Sequence, residues 1–167
     1  MRIGIDYTAA VRQGGGIGRY TRNLVRALAA LDAENEYVLL AAGGWDQGSH
    51  RENWPPNFHL RSIPLSDRWL NVIWQRLRLP LPVQLVSGHL DLFHSPDFVL
   101  PPVGSTPAVL TVHDLSFLRL PQFFVPAFCA YLEAAVSRAA RRAQHILADS
   151  ESTRRDLTEL LGVPAAK

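Results

Sequence analysis

Four short polar clusters stand where an apolar run gives way to a helical pattern. They are Asp6-Tyr7, His94-Ser95-Pro96-Asp97, His113-Asp114 and Asp149-Ser150. Carboxylates, hydroxyls and imidazoles accept or donate hydrogen bonds, and two of the four clusters carry histidine. His113 ends a run that reads as a buried strand, where it could bind a ligand or simply cap the sheet. Asp114 beside it could hold the imidazole in one tautomer or cap the next turn. His94 and Asp97 flank Ser95-Pro96. The proline stiffens that turn, so polar side chains fixed on it suit ligand hydroxyls, although plain turn chemistry would use the same residues.

A fifth feature is the stretch RQGGGIGRYTRNLVRALAAL, from Arg12 to Leu31. Gly14, Gly15 and Gly16 lie between an apolar run and a helical pattern. Glycine permits positive φ and close approach of a ligand to the backbone. A helix start offers free N–H groups and partial positive charge, which suit a phosphate or a sugar hydroxyl. A flexible loop would also explain the glycines. No Lys-Ser or Lys-Thr follows, so the stretch is not a P-loop, and its glycines do not fit G-x-G-x-x-G. Arg19 lies next to the glycines and could reach a phosphate. Arg22 and Arg26 continue its side of the helix as a solvated face or as a contact for anionic lipid. Tyr20 fits the apolar stripe and reads as core.

These clusters need elements to hold them. Strands are expected over Arg2–Asp6, Glu36–Gly43, Phe58–Leu65, Asp91–Ser95, Pro107–Asp114 and His145–Ser150. Ile17, Tyr20, Leu24, Leu28 and Leu31 recur at steps of three and four, which is one face of a helix. Further helices are expected over Trp69–Leu77, Val83–Ser87, Phe123–Ala143 and Ser152–Leu161, the last closed by Gly162. Residues 45–57 read as loop. Strand–helix alternation with nearly continuous apolar strands implies an α/β, Rossmann-like parallel sheet flanked by helices. Ligands bind such sheets at the carboxyl ends of the strands, where the polar clusters fall.

The chain has 167 residues, 47% of them hydrophobic and 19% charged, which are the values of a globular domain. A formal net charge of +2, spread along the chain, gives no reason to expect nucleic acid. The one cysteine, Cys129, cannot form an internal disulfide and points to a reducing, cytoplasmic setting. The first residues lack the apolar core of a secretion signal, and no run is long enough to cross a bilayer. The histidines show no metal-ligand spacing, so no metal is expected.

The motifs GGGIGRYTRNLVRAL, DLFHSPDFVLP, TVHDLSFLRLPQ and ADSESTRRDLTELLGVP occur in this order. Together they resemble the N-terminal half of the retaining glycosyltransferases of family 4, which have the GT-B fold. Mannosyltransferases of bacterial polysaccharide assembly are the nearest in look. The resemblance implies that residues 1–167 are the Rossmann-like, acceptor-side domain, and that a C-terminal donor-binding domain is absent from this chain. It implies a nucleotide sugar as donor substrate, no cofactor, and a saccharide or lipid-linked saccharide as acceptor. It implies a cytoplasmic protein with peripheral contact at the inner membrane surface. His113, in its T-x-H context, is the implied catalytic residue, orienting the transferred sugar and stabilising charge at the reacting carbon. Gly14, Gly15, Gly16, Arg19, His94, Asp97, Asp114 and Ser150 are the implied substrate-binding residues.

Two features have competing explanations. Glu151 and Glu159 show the E-x7-E spacing of the family's donor site, but they fall on the last helix of the acceptor half, where a solvated face is the better reading. Trp69, Trp74, Phe123, Phe124 and Phe128, beside Arg68, Arg76 and Arg78, could form a lipid-facing patch or an ordinary buried helix. A different class of function also fits: a non-catalytic module that binds a sugar or a partner and is inactive alone.

Overall fold

The computed structural model describes residues 1–43 and 54–167. The loop expected over 45–57 therefore lies outside the described residues as far as residue 53. Six strands form one sheet: β1 (Arg2–Asp6), β2 (Glu36–Ala42), β3 (Phe58–Ile63), β4 (Leu92–Ser95), β5 (Ala108–Val112) and β6 (His145–Ala148). Their order is β3-β2-β1-β4-β5-β6, and every neighbouring pair is parallel. The helices are α1 (Thr8–Arg12), α2 (Gly16–Leu31), α3 (Asp67–Asn71), α4 (Gln84–Ser87), α5 (Ser116–Arg119), α6 (Pro126–Arg142) and α7 (Glu151–Leu161).

Both faces of the inner strands are covered, and successive residues go to opposite cores. Along β2, Val38 and Leu40 join Phe93, Leu110 and Val112 in one core, while Tyr37 and Leu39 join Ile5, Val25 and Phe58 in the other. The edge strands β3 and β6 keep exposed residues along their length.

The structure departs from the sequence reading in several places. The glycines do not follow β1 directly, because α1 intervenes. The residue pair Ser116-Phe117 opens a second unexpected helix, α5. The helix expected over Trp69–Leu77 changes register after α3: Val72–Arg76 form a π turn, in which Leu77 N–H donates to Val72 O at 2.8 Å. The buried face of α2 is also different. It holds Gly18, Thr21 and Val25, while Leu31 is 86% exposed. Gly18 is the cause. A Cβ there would lie 2.1 Å from Gln13 O and 2.7 Å from Ala9 O, so only glycine lets α2 pack this closely on α1.

Arg22 is part of the same contact and not a solvated or lipid-facing residue. Its Nη1 donates to Ala10 O at 2.5 Å and to Gln13 O at 3.0 Å, satisfying carbonyls at the end of α1. The glutamates of the E-x7-E spacing are engaged on the surface: Glu151 pairs with Arg154, and Glu159 pairs with Arg119, which also bonds Asp156.

Candidate active site

Strand order reverses between β1 and β4, which leaves a crevice at their carboxyl ends. A cavity of about 410 Å³ opens there. Asp6 reaches it from the end of β1, Asp97 and Phe98 from the turn after β4, and Asp114 and Ser116 from the turn after β5. Asp67 and Asn71 of α3 and Phe128 and Tyr131 of α6 line the side away from the sheet.

Four carboxylates thus face one cavity, and burial changes the chemistry of two of them, Asp6 and Asp97. Asp6 is pushed from an ordinary value near 3.8 up to about 6, first by burial and then by the charges of Asp97 and Asp67, against the opposing hydrogen bonds from Thr8. Thr8 N–H is one of these donors, at 3.0 Å from Asp6 Oδ1. Burial also raises Asp97, opposed by a 2.6 Å hydrogen bond from Phe98 N–H. Among the described residues no three potential ligands cluster closely enough to share a cation. The carboxylates therefore act as separate hydrogen-bond acceptors beside aromatic walls, including Trp74, Phe98 and Phe117. Such a lining suits a polyhydroxylated ring: hydroxyls donate to the carboxylates, and C–H faces lie against the rings. A phosphate would meet unfavourable charge there.

His113 stands beside the cavity, fixed on every side. Its Nε2–H donates to Pro96 O at 3.0 Å, and its Nδ1 meets Asp149 Oδ2 at 2.5 Å. The ring centres of Tyr20 and Phe98 lie 4.9 and 6.0 Å from that of the imidazole, each ring close to perpendicular to it. The Pro96 carbonyl can only accept, so Nε2 is the donor of that bond. A sugar hydroxyl that bonds this ring must take over the Pro96 contact.

Several expected roles are redistributed. Asp114 does not hold the imidazole. Its Oδ1 accepts from Ser116 N–H and Oγ–H at 2.9 and 2.5 Å and caps the entry to α5. Asp149 holds it instead. The β5–β6 register pairs Val112 with Ala148, so His113 and Asp149 are the next residues out on neighbouring strands. Asp149 stands in one of the polar clusters, but only register shows that it meets His113.

His94 is not on the surface of its turn. It is buried at the end of β4, its Nε2 is 2.9 Å from Thr111 Oγ1, and burial lowers its pKa to about 4. Tyr20 is not simply core: besides touching His113, its hydroxyl is 3.4 Å from the same Thr111 hydroxyl. Ser150 caps α7, accepting from Thr153 N–H at 3.1 Å.

Gly15 is the N-cap of α2, and no side chain caps that helix. Gly14, Gly15 and Gly16 all have negative φ, and a Cβ on any of them would meet nothing within 4 Å. Neither conformation nor protein packing requires glycine there. Gln13 and Ile17, on either side, line the cavity. Arg19 is exposed in the first turn.

A doubly wound parallel sheet with a polar crevice at its switch point defines a Rossmann-like α/β domain of the ligand-binding kind. Residues 14–167 match the family model of Glycosyltransferase Family 4, and the chain belongs to that family. Glycosyl transfer is accordingly its class of chemistry. A comparison with curated proteins gave no match. No described helix is long and apolar enough to cross a membrane.

Proposed function

We propose that residues 1–167 form the acceptor-side domain of a retaining glycosyltransferase of GT-B architecture. In this reading a second, C-terminal domain grips a nucleotide sugar, and the cavity at the β1–β4 switch holds a saccharide or lipid-linked saccharide acceptor. Mannose is the sugar that the motif resemblance favours. The observation that carries the reading is the cavity lining, carboxylates and aromatic faces with no Arg or Lys among the described lining residues, because it suits a neutral polyol better than the donor diphosphate.

His113 then faces the transferred sugar from the rim. It orients a hydroxyl through Nε2 and places polarity near the carbon where positive charge develops. Asp149 is a positioning residue that fixes the ring and its protonation. The α2 N-terminus, with Arg19, is the place for an anionic group of a substrate. Exposed Trp69 (60%), Phe123 (77%) and Phe128 support peripheral membrane contact at the cytoplasmic face, whereas Trp74 and Phe124 pack against the core.

The test is steady-state kinetics of the full-length enzyme. His113→Ala is expected to lower kcat by roughly 10²–10³ with little change in melting temperature, the scale of one lost transition-state contact. Asp149→Asn should lower kcat less, with donor KM nearly unchanged and a displaced pH profile. Parental turnover in both folded variants would remove His113 from the chemistry and favour a binding module.

A further inference from the structure

Beside His113 runs a line of polar side chains that the proposed chemistry leaves unused. His94 pairs with Ile5 in the β1–β4 register and with Val109 in the β4–β5 register. Side chains alternate along a strand, so His94, Thr111 and His113 share one face of the sheet. It is the face on which Ile5 packs with Val25 of α2. His94 and Thr111 are buried there, and His94 Nε2 stands 2.9 Å from Thr111 Oγ1. The same hydroxyl is 3.4 Å from Tyr20 Oη. Burial lowers the pKa of His94 to about 4 and so keeps its ring neutral. A threonine hydroxyl donates once and accepts twice, which lets it serve a neutral imidazole and a phenol together.

Apolar side chains would fill this face at less cost, because each buried polar group must find a partner. What the polar line secures is the place of one ring. The ring centre of Tyr20 is 4.9 Å from that of His113, at an interplanar angle of 82°. Tyr20 comes from α2, whereas the other ring against His113, Phe98, belongs to the turn that also supplies the Pro96 carbonyl. The difference matters when a substrate arrives. A sugar hydroxyl that bonds Nε2 displaces Pro96 O and leaves the imidazole held at Nδ1 by Asp149. One hydrogen bond fixes a point and leaves the ring free to pivot about it. An aromatic wall, itself tethered, removes that freedom.

We infer that Tyr20 is a positioning residue for sugar transfer: its ring holds the His113 imidazole in place while Nε2 exchanges the Pro96 carbonyl for a substrate hydroxyl, and the Thr111–His94 pair tethers that ring. His94 then serves the site from inside the sheet without touching substrate. The inference rests on the proposed function in taking His113 as the residue that meets the transferred sugar.

The experiment compares Tyr20→Leu, Tyr20→Phe, His113→Ala and the Tyr20→Leu/His113→Ala double variant in the full-length enzyme. Tyr20→Leu should lower kcat roughly tenfold with donor KM within about twofold of the parent, since a misplaced group costs rate more than ground-state binding. Tyr20→Phe keeps the ring and drops only a long hydrogen bond, so kcat should return to within about threefold of the parent. On the His113→Ala background Tyr20→Leu should lower kcat no further, because a residue that acts through His113 has nothing left to act on. Parental turnover by folded Tyr20→Leu, or an equal loss on both backgrounds, overturns the inference. Tyr20→Met repeats the test if leucine costs the fold. A second arm needs no sugar transfer. In the 167-residue chain, the nitrogen-15 ring signals of His113 should report a single ring state in the parent and in Tyr20→Phe, and should broaden or average in Tyr20→Leu. Unchanged signals in Tyr20→Leu also overturn the inference. If His113→Ala turns over at the parental rate, the proposed function fails, and the ring signals still decide whether Tyr20 holds the imidazole.

Discussion

Asp6 and His94 end neighbouring strands, with Ile5 opposite His94 in the register, and burial displaces their titrations in opposite senses. The folded-state pKa of Asp6 is raised. Between about pH 3.8 and 6 the folded chain keeps a proton that the unfolded chain has released, so this group favours folding more as pH falls through that window. The folded-state pKa of His94 is depressed from 6.5 to about 4. Between those values only the unfolded chain takes up the proton, so this group disfavours folding as pH falls. Each effect has an upper bound of about 3 kcal/mol at 1.36 kcal/mol per unit. They therefore nearly cancel between pH 4 and 6. Urea midpoints from pH 4.5 to 7 should expose this. Asp6→Asn should lose stability on acidification more steeply than the parent, and His94→Gln less steeply. Asp6→Asn and parental curves that run parallel would count against a buried, proton-holding Asp6.

At the scale of elements, the two kinds of glycine near α2 separate packing from ligand approach. Gly18→Ala must push a methyl group into the backbone carbonyls of Ala9 and Gln13, and a loss of about 1–3 kcal/mol in chemical unfolding is expected. Gly15→Ala and Gly16→Ala meet open space at negative φ, so stability should hold or rise by about 0.4–1 kcal/mol. If the loop meets a substrate, KM or kcat of the full-length enzyme should nevertheless worsen. Parental kinetics in both variants would leave these glycines as a loop only. The same region shows what a sequence can reveal. The inner strands β1, β2, β4 and β5 are readable as apolar runs, because strands covered on both faces need little polar alternation, while the edge strands β3 and β6 are marked by shorter apolar stretches between turn residues. The helices α1 and α5 are too short to show a period. The face of α2 was misread because apolar periodicity follows large side chains, whereas Gly18 and Thr21 make the contact. His113 stood out at its strand end, but Asp149 lies 36 residues away, and only the β5–β6 register joins them.

At the scale of the whole molecule, a net charge of +2 conceals a segregation of charge across one partition. Four carboxylates line the cavity at the sheet's switch point, and four arginines, Arg68, Arg76, Arg78 and Arg138, line a groove that shares Asn71 and Tyr131 with it. Sugar transfer from a nucleotide sugar needs cationic or N–H groups aimed at the diphosphate where it departs, beside the acceptor hydroxyl. The cavity offers the reverse, since an anion entering it would face Asp6, Asp67, Asp97 and Asp114 together. The α2 N-terminus and Arg19 supply one partial and one full positive charge at the edge, too little to bind and activate a diphosphate leaving group alone. On the proposed reading, a separate donor-binding domain completes the catalytic constellation. Residues 1–167, incubated by themselves with a panel of nucleotide sugars and phosphoryl-linked or free saccharides, should consume no donor faster than buffer does. Product formation by this domain alone, traced by mass spectrometry and abolished by His113→Ala, would show that the diphosphate is gripped within these residues and that the division into acceptor and donor halves is wrong.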